Sequence, residues 1–308
     1  MRRVVILLMA LMMVVAACGR AEVKPTEALS TQALTEKLSW RVIATDAAMK
    51  ADIAVWREEL RAERDRDLEG LKLSEGKTVV LKRGWSADGS FIVSSTILLR
   101  DEAQGSETVL MEHSNPNYST SSSRSPIPAQ ALDERCFVID WYYYEGPAGC
   151  SVFDIQEKRD IPIKFPAGAL GARFLGFTGG WLYFEHGAYS YEEGDPLHIT
   201  RIELSALLAD NDLVAEDVIR DTQAGSGCTA LYLVSPGGRY LAAMEARADY
   251  AADEEGFLLV YDLAQGERVL RLPQPEGYNF WHPHFADENV LYFYDNTDDG
   301  HVLEVRLP

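Results

Sequence analysis

The chain has 308 residues, a formal net charge of −19 at pH 7 and four cysteines. This length is enough for a sizeable hydrophobic core in one or two domains. The strong acidic charge argues against nucleic acid as a partner, because nucleic-acid affinity depends mostly on Lys and Arg contacts to phosphates. The charge is compatible with cationic ligands, divalent metals or solubility alone.

The N-terminus is built like a secretory signal. Two arginines, Arg2 and Arg3, open the chain, and an apolar run from Val4 to Ala17 follows. A run of this length falls short of the roughly 20 apolar residues that comfortably span a bilayer. A charged start, an apolar middle and a small-residue end therefore predict a signal peptide over residues 1–17.

The end of this run resembles the lipobox of bacterial lipoproteins, because Val15-Ala16-Ala17 stand directly before Cys18. The resemblance implies cleavage before Cys18, a diacylglyceryl group on its sulfur and an acyl group such as palmitate on its amine. Several acyl chains hold a protein firmly on a membrane, at about 0.8 kcal/mol per buried CH₂. The residue after Cys18 is Gly19 and not Asp, and in a Gram-negative host this favours the outer membrane. In a Gram-positive host the anchor lies in the outer leaflet of the cell membrane. The alternative is an ordinary signal peptide with a chance cysteine.

Two further segments follow the signal. Residues 18–38 are polar and include Pro25 and Ser30, which predicts a tether between the lipid and a folded domain. Residues 39–308 contain many short runs of β-branched and aromatic residues, bounded by Gly, Asp, Asn or Pro. This pattern predicts an all-β domain.

One pattern repeats along this domain: a turn dipeptide stands before a strand of bulky residues. The dipeptides are Asp88-Gly89, Asp133-Glu134, Gly179-Gly180, Gly237-Gly238 and Asp287-Glu288. Their starts are 45, 46, 58 and 50 residues apart. Short apolar strands that end each unit keep the same step, at 78–81, 108–111, 160–163, 217–219 and 268–272. A period of this length in an all-β chain is the spacing of four-stranded propeller blades.

Two of these turns resemble the Ser-Pro-Asp-Gly-Lys-aromatic-aliphatic motif of TolB-like propeller repeats. They are residues 86–93, Ser-Ala-Asp-Gly-Ser-Phe-Ile-Val, and residues 235–242, Ser-Pro-Gly-Gly-Arg-Tyr-Leu-Ala. Residues 257–267 resemble the third strand and turn of the same repeat, and residues 284–293 resemble a degenerate copy of its start. The resemblance implies a β-propeller but does not identify a function, because this repeat serves many roles.

The period also predicts the number of blades. Counting back from Asp88 places a first turn at Thr45-Asp46, which predicts six four-stranded blades, with seven as the alternative. The last blade lacks an outer strand of its own, and the resemblance implies that an N-terminal strand near 29–44 completes it and closes the ring. The segment 46–73 is an exception, because its charged residues from 58 to 66 are more typical of a helix.

The candidate binding site follows from the expected blade geometry. Loops from the second to the third strand of each blade open on one face, together with the connections between blades. Here these segments are rich in carboxylates and aromatic rings, which suit cationic groups, sugars or peptide segments. The candidate ligand-binding residues are Tyr189, Tyr191, Glu192, Glu193, Tyr250, Asp253, Glu254, Tyr278, Trp281, His282, His284, Asp295 and Asp298. The alternative is that these are ordinary solvated loops of an acidic protein.

Two patterns near the C-terminus suggest a metal. His282 and His284 alternate along a predicted strand, so both imidazoles can point the same way. Asp295, Asp298 and Asp299 form a partial calcium loop, although the distal glutamate ligand of such loops is missing. A strand and a hairpin turn account for both patterns without a metal. The sequence therefore predicts no cofactor, with calcium as the alternative.

Motifs that mark a catalytic centre are absent from the sequence. It contains no Gly-x-Ser-x-Gly, no His-Glu-x-x-His, no phosphate-binding Gly-rich loop and no Cys-x-x-Cys. No catalytic residue is therefore predicted. The sequence favours a membrane-anchored protein that binds an envelope protein, a peptide, a cationic solute or a glycan through its acidic, aromatic face. The alternatives are an extracytoplasmic hydrolase acting on glycans or peptides with carboxylates from several blades, and a scaffold that uses the rim of the ring.

The three cysteines after Cys18 do not form a disulfide framework, because their number is odd. If a hairpin turns near Pro147, Cys136 lies opposite Lys158. At about 3.3 Å per residue, Cys150 then lies roughly 25 Å from Cys136, beyond the ~7 Å Cα limit for a disulfide. We therefore expect buried free thiols.

Overall fold

Antiparallel β-strands dominate the fold. The structure is a computed structural model that describes residues 40–44, 46–51, 54, 70–87, 92–115, 124–143, 146–166, 171–186, 197–221, 229–245, 256–275, 283–293 and 301–308. Within these residues, twenty strands form five four-stranded sheets. The predicted all-β, propeller-like architecture is confirmed.

The first three sheets follow the order of the chain. Sheet I contains β2 (Leu71–Ser74), β3 (Lys77–Trp85), β4 (Ile92–Asp101) and β5 (Ser106–Ser114). Sheet II contains β6 (Arg124–Ala131), β7 (Cys136–Tyr143), β8 (Gly146–Asp154) and β9 (Arg159–Pro162). Sheet III contains β10 (Arg173–Thr178), β11 (Trp181–His186), β12 (Leu197–Glu203) and β13 (Glu216–Asp221). A short helix, Leu204–Ala209, connects the last two strands of sheet III.

The last two sheets differ in how they are completed. Sheet IV contains β14 (Thr229–Val234), β15 (Tyr240–Glu245), β16 (Phe257–Asp262) and β17 (Glu267–Pro273). Sheet V contains β18 (Pro283–Asp287), β19 (Val290–Phe293), β20 (His301–Arg306) and, at its outer edge, β1 (Trp40–Ala44). Sheet V therefore joins the two ends of the described chain.

Strand β1 is the N-terminal strand that the resemblance implied. It pairs with β20 along its whole length, and Arg41 Nε donates a hydrogen bond of 2.7 Å to Glu304. Burial by itself would raise the pKa of Glu304, but bonds from Arg41 and Arg306 outweigh burial, so the pKa is lowered. The expected completion of the last sheet is confirmed for residues 40–44.

Sheet I departs from the predicted strand roles. Its turn from first to second strand is Glu75-Gly76, where Gly76 has φ 76°, the left-handed conformation that suits glycine in a two-residue hairpin. Residues 78–81 are therefore part of the second strand, not an outer strand. Asp88-Gly89 falls between the second and third strands. The other four predicted turns do lie between first and second strands.

This change removes one predicted sheet. The strands assigned to two successive blades, residues 78–81 and 108–111, belong to the same sheet I. Asp46 does not form a strand turn but begins a helical segment, residues 47–51, with Asp46 Oδ1 accepting from the Met49 amide at 2.8 Å. The described residues thus form five sheets, where six were expected. The charged residues 58–66 lie outside the described part of the chain.

A bulge recurs at the first strand of every sheet. In each sheet the pairing between first and second strands skips one residue of the first strand; the breaks lie at 72/74, 128/130, 174/176, 230/232 and 285/287. A bulge bends a strand and increases its twist. Contacts of β2 with β6, of β10 with β14 and of β14 with β18 join the first strands of neighbouring sheets. The same distortion therefore occurs at the innermost position of each repeat.

The core lies between successive sheets. Alternate residues of β7 serve different sides: Phe137 and Ile139 pack with sheet I, whereas Cys136 and Val138 pack with sheet III. Similar clusters fill the spaces between sheets III and IV and between sheets IV and V. Sheets II, III and IV are apolar on both faces because each of them is covered by a neighbouring sheet on both sides.

For Cys136 and Cys150 the cysteine prediction is confirmed in its conclusion but not in its geometry. Both are free and buried, and Cys228 lies outside the described residues. Tyr143 of β7 pairs with Gly146 of β8, so the register differs from that of a hairpin turning near Pro147, and Cys136 lies opposite Asp154 instead of Lys158. Cys150 lies opposite a residue four positions from Cys136 along the strand, about 13 Å away at 3.3 Å per residue. The thiols are still too far apart to bond.

Candidate functional site

The ends of the sheets define two faces. We call the ends where the second strand passes to the third the loop face, and the opposite ends the turn face. The described strand ends that flank the three longest predicted loops at the loop face are His186 and Leu197, Glu245 and Phe257, and Phe293 and His301. These pairs of ends belong to the neighbouring sheets III, IV and V.

Nine of the thirteen predicted ligand-binding residues fall between such ends, and Tyr278, Trp281 and His282 fall between β17 and β18. The following lie outside the described residues: Cys18, Tyr189, Tyr191, Glu192, Glu193, Tyr250, Asp253, Glu254, Tyr278, Trp281, His282, Asp295, Asp298 and Asp299. His284 is described; it lies on β18, is half-buried and pairs with Tyr292 of β19. The proposed ligand residues and the calcium loop therefore remain predictions.

Two histidines close the loop-face end of the interface between sheets II and III, and we call them the imidazole pair. His186 and His198 are both buried, with ring centroids 4.9 Å apart. Phe165, which follows sheet II, packs against His186 at 4.7 Å in an edge-to-face geometry. Nε2 of His186 lies 2.8 Å from Thr200 Oγ1. Nδ1 of His186 is buried and has no hydrogen-bond partner within the described ranges.

The surroundings of the pair disfavour protonation of His186. Burial, followed by the charge of His198, lowers the pKa of His186 to about 4. His198 has a carboxylate partner, because its Nε2 lies 2.6 Å from Asp217 Oδ1. Arg220 approaches the other oxygen of Asp217 at 3.1 Å. His186 is therefore neutral at neutral pH and acts as a packed ring with one bonded nitrogen.

A buried carboxyl and a buried thiol lie on the sheet II side of the same interface. Asp140 and Cys150 face each other across β7 and β8, and the Cys150 thiol donates to Asp140 Oδ1 at 3.0 Å. The Phe174 amide of β10 donates to the same oxygen at 3.3 Å. Burial raises the pKa of Asp140 to about 6, and burial and Asp140 raise the pKa of Cys150 well above its usual value. The thiol stays protonated, so it is a hydrogen-bond donor and not a nucleophile.

A second polar cluster lies between sheets I and II. Trp141 Nε1 donates to Ser151 Oγ at 2.9 Å. The guanidinium of Arg124 lies 4.8 Å above the Trp141 ring, and the His113 ring meets its edge at 5.2 Å. Burial raises the pKa of Asp160, whose Oδ1 has no hydrogen-bond partner among the described residues. This cluster is packed and largely bonded, which is typical of a structural role.

On the turn face, carboxylates are surrounded by donors. Asp154 ends the third strand of sheet II and is fully buried, and Arg135 donates to it through Nε at 3.0 Å and through a terminal nitrogen at 2.5 Å. The amides of Gln156 and Glu157 donate to Asp154 at 3.0 and 3.2 Å. The hydrogen bonds from Arg135 hold the pKa of Asp154 below its usual range. The carboxylate therefore fixes the turn that follows.

Sheet IV repeats this arrangement. Arg239 donates to Asp262, and Asp262 accepts from the amides of Ala264 and Gln265 in the next turn. A second carboxylate, Glu288 of sheet V, accepts from Ser235 Oγ at 2.5 Å and from the Arg239 amide at 2.8 Å. Glu288 thus ties the first turn of sheet V to the first turn of sheet IV. Hydrogen bonds to Asp154 and Asp262 hold the turns that follow them, whereas the connection from β12 to β13 on the same face is longer and contains the helix Leu204–Ala209.

Within the described ranges, no group of three or more His, Cys, Asp or Glu side chains is placed to hold a metal ion. The imidazole pair fits this result, because both Nε2 atoms already have partners in Thr200 and Asp217. Among the helices of the described part of the chain, none is long and apolar enough to cross a membrane.

The sequence interpretation missed the polar groups at the interface of sheets II and III. The sequence patterns assign no role to His186, Asp140 or His198. A polar residue inside an otherwise apolar alternating strand was the available signal, as in Cys136 to Tyr143. That pattern cannot identify the facing sheet, so it could not bring these three residues to one interface.

Comparisons with known proteins support the fold. No protein-family model matches the chain, and no curated protein matches it. Among solved structures, an oligogalacturonate lyase in complex with manganese is similar with a TM-score of 0.51 and 12% identity, over 76% of this chain and 62% of that one. The oligogalacturonate lyase of Vibrio parahaemolyticus gives 0.50 and 11%, over 76% and 63%. A puromycin-hydrolyzing peptidase of Mycobacterium tuberculosis gives 0.47 and 17%, over 77% and 35%.

These similarities have a limited meaning. At 11 to 17% identity they concern the fold alone. The chain also spans less than two thirds of the length of either lyase, at 62 and 63%. The comparisons therefore agree with the five antiparallel sheets and leave the function to the site itself.

Proposed function

We propose that this chain is a lipid-anchored extracytoplasmic protein whose TolB-like propeller binds a ligand or a partner protein through its loop face. The pattern of small residues before Cys18 supports the anchor. In this proposal residues 18–38 are the tether, and the protein is held on the outer membrane or on the outer side of the cell membrane. The membrane contact is made by lipid on Cys18, because the strongly acidic domain has little attraction for anionic headgroups.

The observation that carries the binding proposal is the contrast between the two faces. On the turn face, Asp154, Asp262 and Glu288 are bonded to backbone amides or guanidinium groups. At the loop face, the strand ends of sheets III, IV and V flank the segments that contain the predicted carboxylates and aromatic rings. Loops held at one face of a rigid scaffold are the usual place for a ligand.

The chemistry of the predicted residues selects the ligand class. Glu192, Asp253 and Asp298 would orient ammonium or guanidinium groups, and Trp281 and Tyr278 would add apolar area. This combination fits a cationic peptide, a basic segment of an envelope protein or a glycan. The mechanism is recognition by preformed loops without turnover.

An extracytoplasmic hydrolase acting on glycans or peptides is the second candidate. It is supported by the fold similarity to proteins described as oligogalacturonate lyases, one of them in complex with manganese. Carboxylates from several sheets would then serve as acid and base. Manganese and calcium therefore belong in any ligand test of this chain.

The test is the unfolding temperature of the full-length protein with EDTA, calcium, manganese, cationic peptides and oligosaccharides. A ligand that binds only the native state at a hundredfold excess over Kd stabilises it by about 2.7 kcal/mol. We expect a shift of at least a degree or two for one class of peptide or sugar. If no member of the panel shifts the transition, the small-ligand and metal proposals fail. If the protein turns over an oligosaccharide or a peptide, the hydrolase proposal replaces the binding proposal.

Variants then locate the site. We expect Glu192→Ala, Asp253→Ala, Asp298→Ala or Trp281→Ala to remove the ligand-induced shift. Glu134→Ala, an exposed acid in the turn between β6 and β7, is the matched turn-face control and should keep the shift. If the loop variants keep the shift and Glu134→Ala loses it, the loop face is not the binding site.

The anchor is tested separately. We expect Cys18→Ser to abolish lipid attachment and to release the protein from the membrane fraction. A Cys18→Ser protein that stays membrane-bound and is processed normally would contradict the lipoprotein proposal.

A further inference from the structure

A buried carboxyl group and a buried imidazole lie toward the loop face in the interface between sheets II and III. Asp140 lies on β7 of sheet II and is 8% exposed, and His186 lies on β11 of sheet III and is 3% exposed. Asp140 reaches across the interface, because it accepts the Phe174 amide of β10. His186 faces the same interface from the other side, because its ring packs on Phe165, which follows sheet II.

The surroundings of Asp140 favour its neutral form. Its hydrogen-bond donors are neutral: the Cys150 thiol of β8 and the Phe174 amide of β10. The charged group that faces it is Arg173 of β10, which lies 3.1 Å from Glu185 of β11. Arg173 is thus shared with another carboxylate, and the remaining wall of the site is the apolar cluster between the two sheets.

The surroundings of His186 favour its neutral form as well. The groups that face it are His198 on β12, and Asp217 and Arg220 on β13. Asp217 is bonded to His198 at 2.6 Å and lies 3.1 Å from Arg220, so it is not a direct partner of His186. Phe165 contributes no charge. A proton on buried Nδ1 of His186 would find no acceptor among the described residues.

We propose that Asp140 and His186 are a counter-titrating pair: in the mildly acidic range, acidification stabilises the interface between sheets II and III through Asp140 and destabilises it through His186. This inference is independent of the proposed function. It assigns a role to the ionisation of these two buried groups, beyond their packing contacts and hydrogen bonds.

The two contributions have opposite signs. The pKa of Asp140 is raised from 3.8 to about 6, so its stabilising contribution is present below 3.8 and is lost as the pH rises through 6. The pKa of His186 is lowered from 6.5 to about 4, so its contribution is present above 6.5 and is lost as the pH falls through 4. Between pH 4 and 6 one contribution increases while the other decreases. The two changes therefore offset each other.

The test is urea unfolding of the full-length protein at pH 6.5 and 4.5, for wild type, Asp140→Asn, His186→Gln and the double variant. On acidification we expect the unfolding constant of Asp140→Asn to rise about tenfold more than that of wild type, because His186 is then unopposed. For His186→Gln we expect the opposite sign: on acidification its unfolding constant should fall about tenfold relative to that of wild type, because Asp140 is then unopposed. The double variant should follow wild type. Shifts of the same sign in the two single variants, or no shift in either, would overturn the proposal.

A local measurement separates this interface from the rest of the protein. Cys150 lies beside Asp140, whereas Cys136 lies in the same apolar cluster at its turn-face end. In Asp140→Asn at pH 4.5 we expect 4,4′-dithiodipyridine to modify Cys150 faster than at pH 6.5, with Cys136 unchanged as the internal control. Equal acceleration at both thiols would mean global unfolding and would contradict a local pair. If Asp140→Asn does not fold, Asp140→Ser takes its place. His186→Gln by itself still tests the sign of the pH effect on stability.

Discussion

The two faces of the sheets use acidic side chains in opposite ways. On the turn face, Asp154 and Asp262 accept from an arginine and from two amides of the following turn. Asp140, between sheets II and III, is buried, and Asp160, between sheets I and II, is partly buried. Both have few donors, and burial raises their pKa values. The pKa of Asp154 is lowered instead.

This difference shows that the acidic composition does not locate a function. Asp154 and Asp262 on the turn face have a structural role, because each accepts hydrogen bonds from backbone amides that would otherwise lack a partner. A carboxylate with few donors contributes no such stabilisation in its charged form. The acids that need an explanation are therefore those with an unfavourable environment, and these lie away from the turn face.

The largest expected effect is at Asp154. Asp154→Ala removes the partner of Arg135 and of two turn amides, so we expect a loss of about 2 kcal/mol in the free energy of unfolding at pH 7. This expected loss is smaller than that for a fully buried ion pair, because the side chain of Arg135 is 46% exposed. Asp154→Asn keeps an acceptor for the turn and should lose less. Urea unfolding measures both, and an unchanged midpoint for Asp154→Ala would remove the assigned role.

A smaller effect is expected where one sheet caps another. Glu288→Ala leaves Ser235 Oγ and the amides of Gly237 and Arg239 without their acceptor, so we expect a loss of about 1 kcal/mol. Glu267→Ala, an exposed glutamate at the start of β17, is the control and should leave the midpoint unchanged. Equal effects of the two variants would show that the bridge between sheets IV and V has no structural role.

The smallest expected effect has the opposite sign. Burial raises the pKa of Asp160, so its contribution to stability is present below its ordinary value of 3.8 and is lost as the pH rises. Asp160→Asn removes a disfavoured charge at pH 7, and we expect a gain of up to about 1 kcal/mol that fades toward pH 3. Asp154→Asn should lose stability at pH 7 instead, with a difference that shrinks on acidification. Urea midpoints from pH 3 to 7 compare the two, and a loss for Asp160→Asn at pH 7 would contradict the contrast.

Much of the fold could be predicted from local patterns. Turn dipeptides such as Gly179-Gly180 and Gly237-Gly238 marked the passage from first to second strand correctly, since glycine adopts the positive φ that these turns need. The outer strands 160–163, 217–219 and 268–272 were also predicted in place, with their ends within a few residues. The N-terminal strand on sheet V followed from the family resemblance.

The first sheet shows why the count of sheets could not be predicted. Two turn signals compete there, Glu75-Gly76 and Asp88-Gly89, and either can connect a first strand to a second. The choice depends on which strands pair, and β3 pairs with β4 over nine residue pairs. Such a long hairpin outweighs the resemblance of a single turn to the repeat motif. Assigning β3 as the outer strand of one sheet, instead of the second strand of sheet I, added one sheet to the predicted number.

The sequence by itself determined the class of fold and the positions of most turns, because alternation and turn chemistry are local properties of the chain. The lipid anchor, read from the residues before Cys18, stays a prediction. Only the tertiary structure decided which polar residues share an environment. Asp140 and His186 are 46 positions apart in sequence, and they meet one interface because sheets II and III pack against each other. Burial and partners are properties of that packing, and they set the pKa values on which the proposed acid response depends.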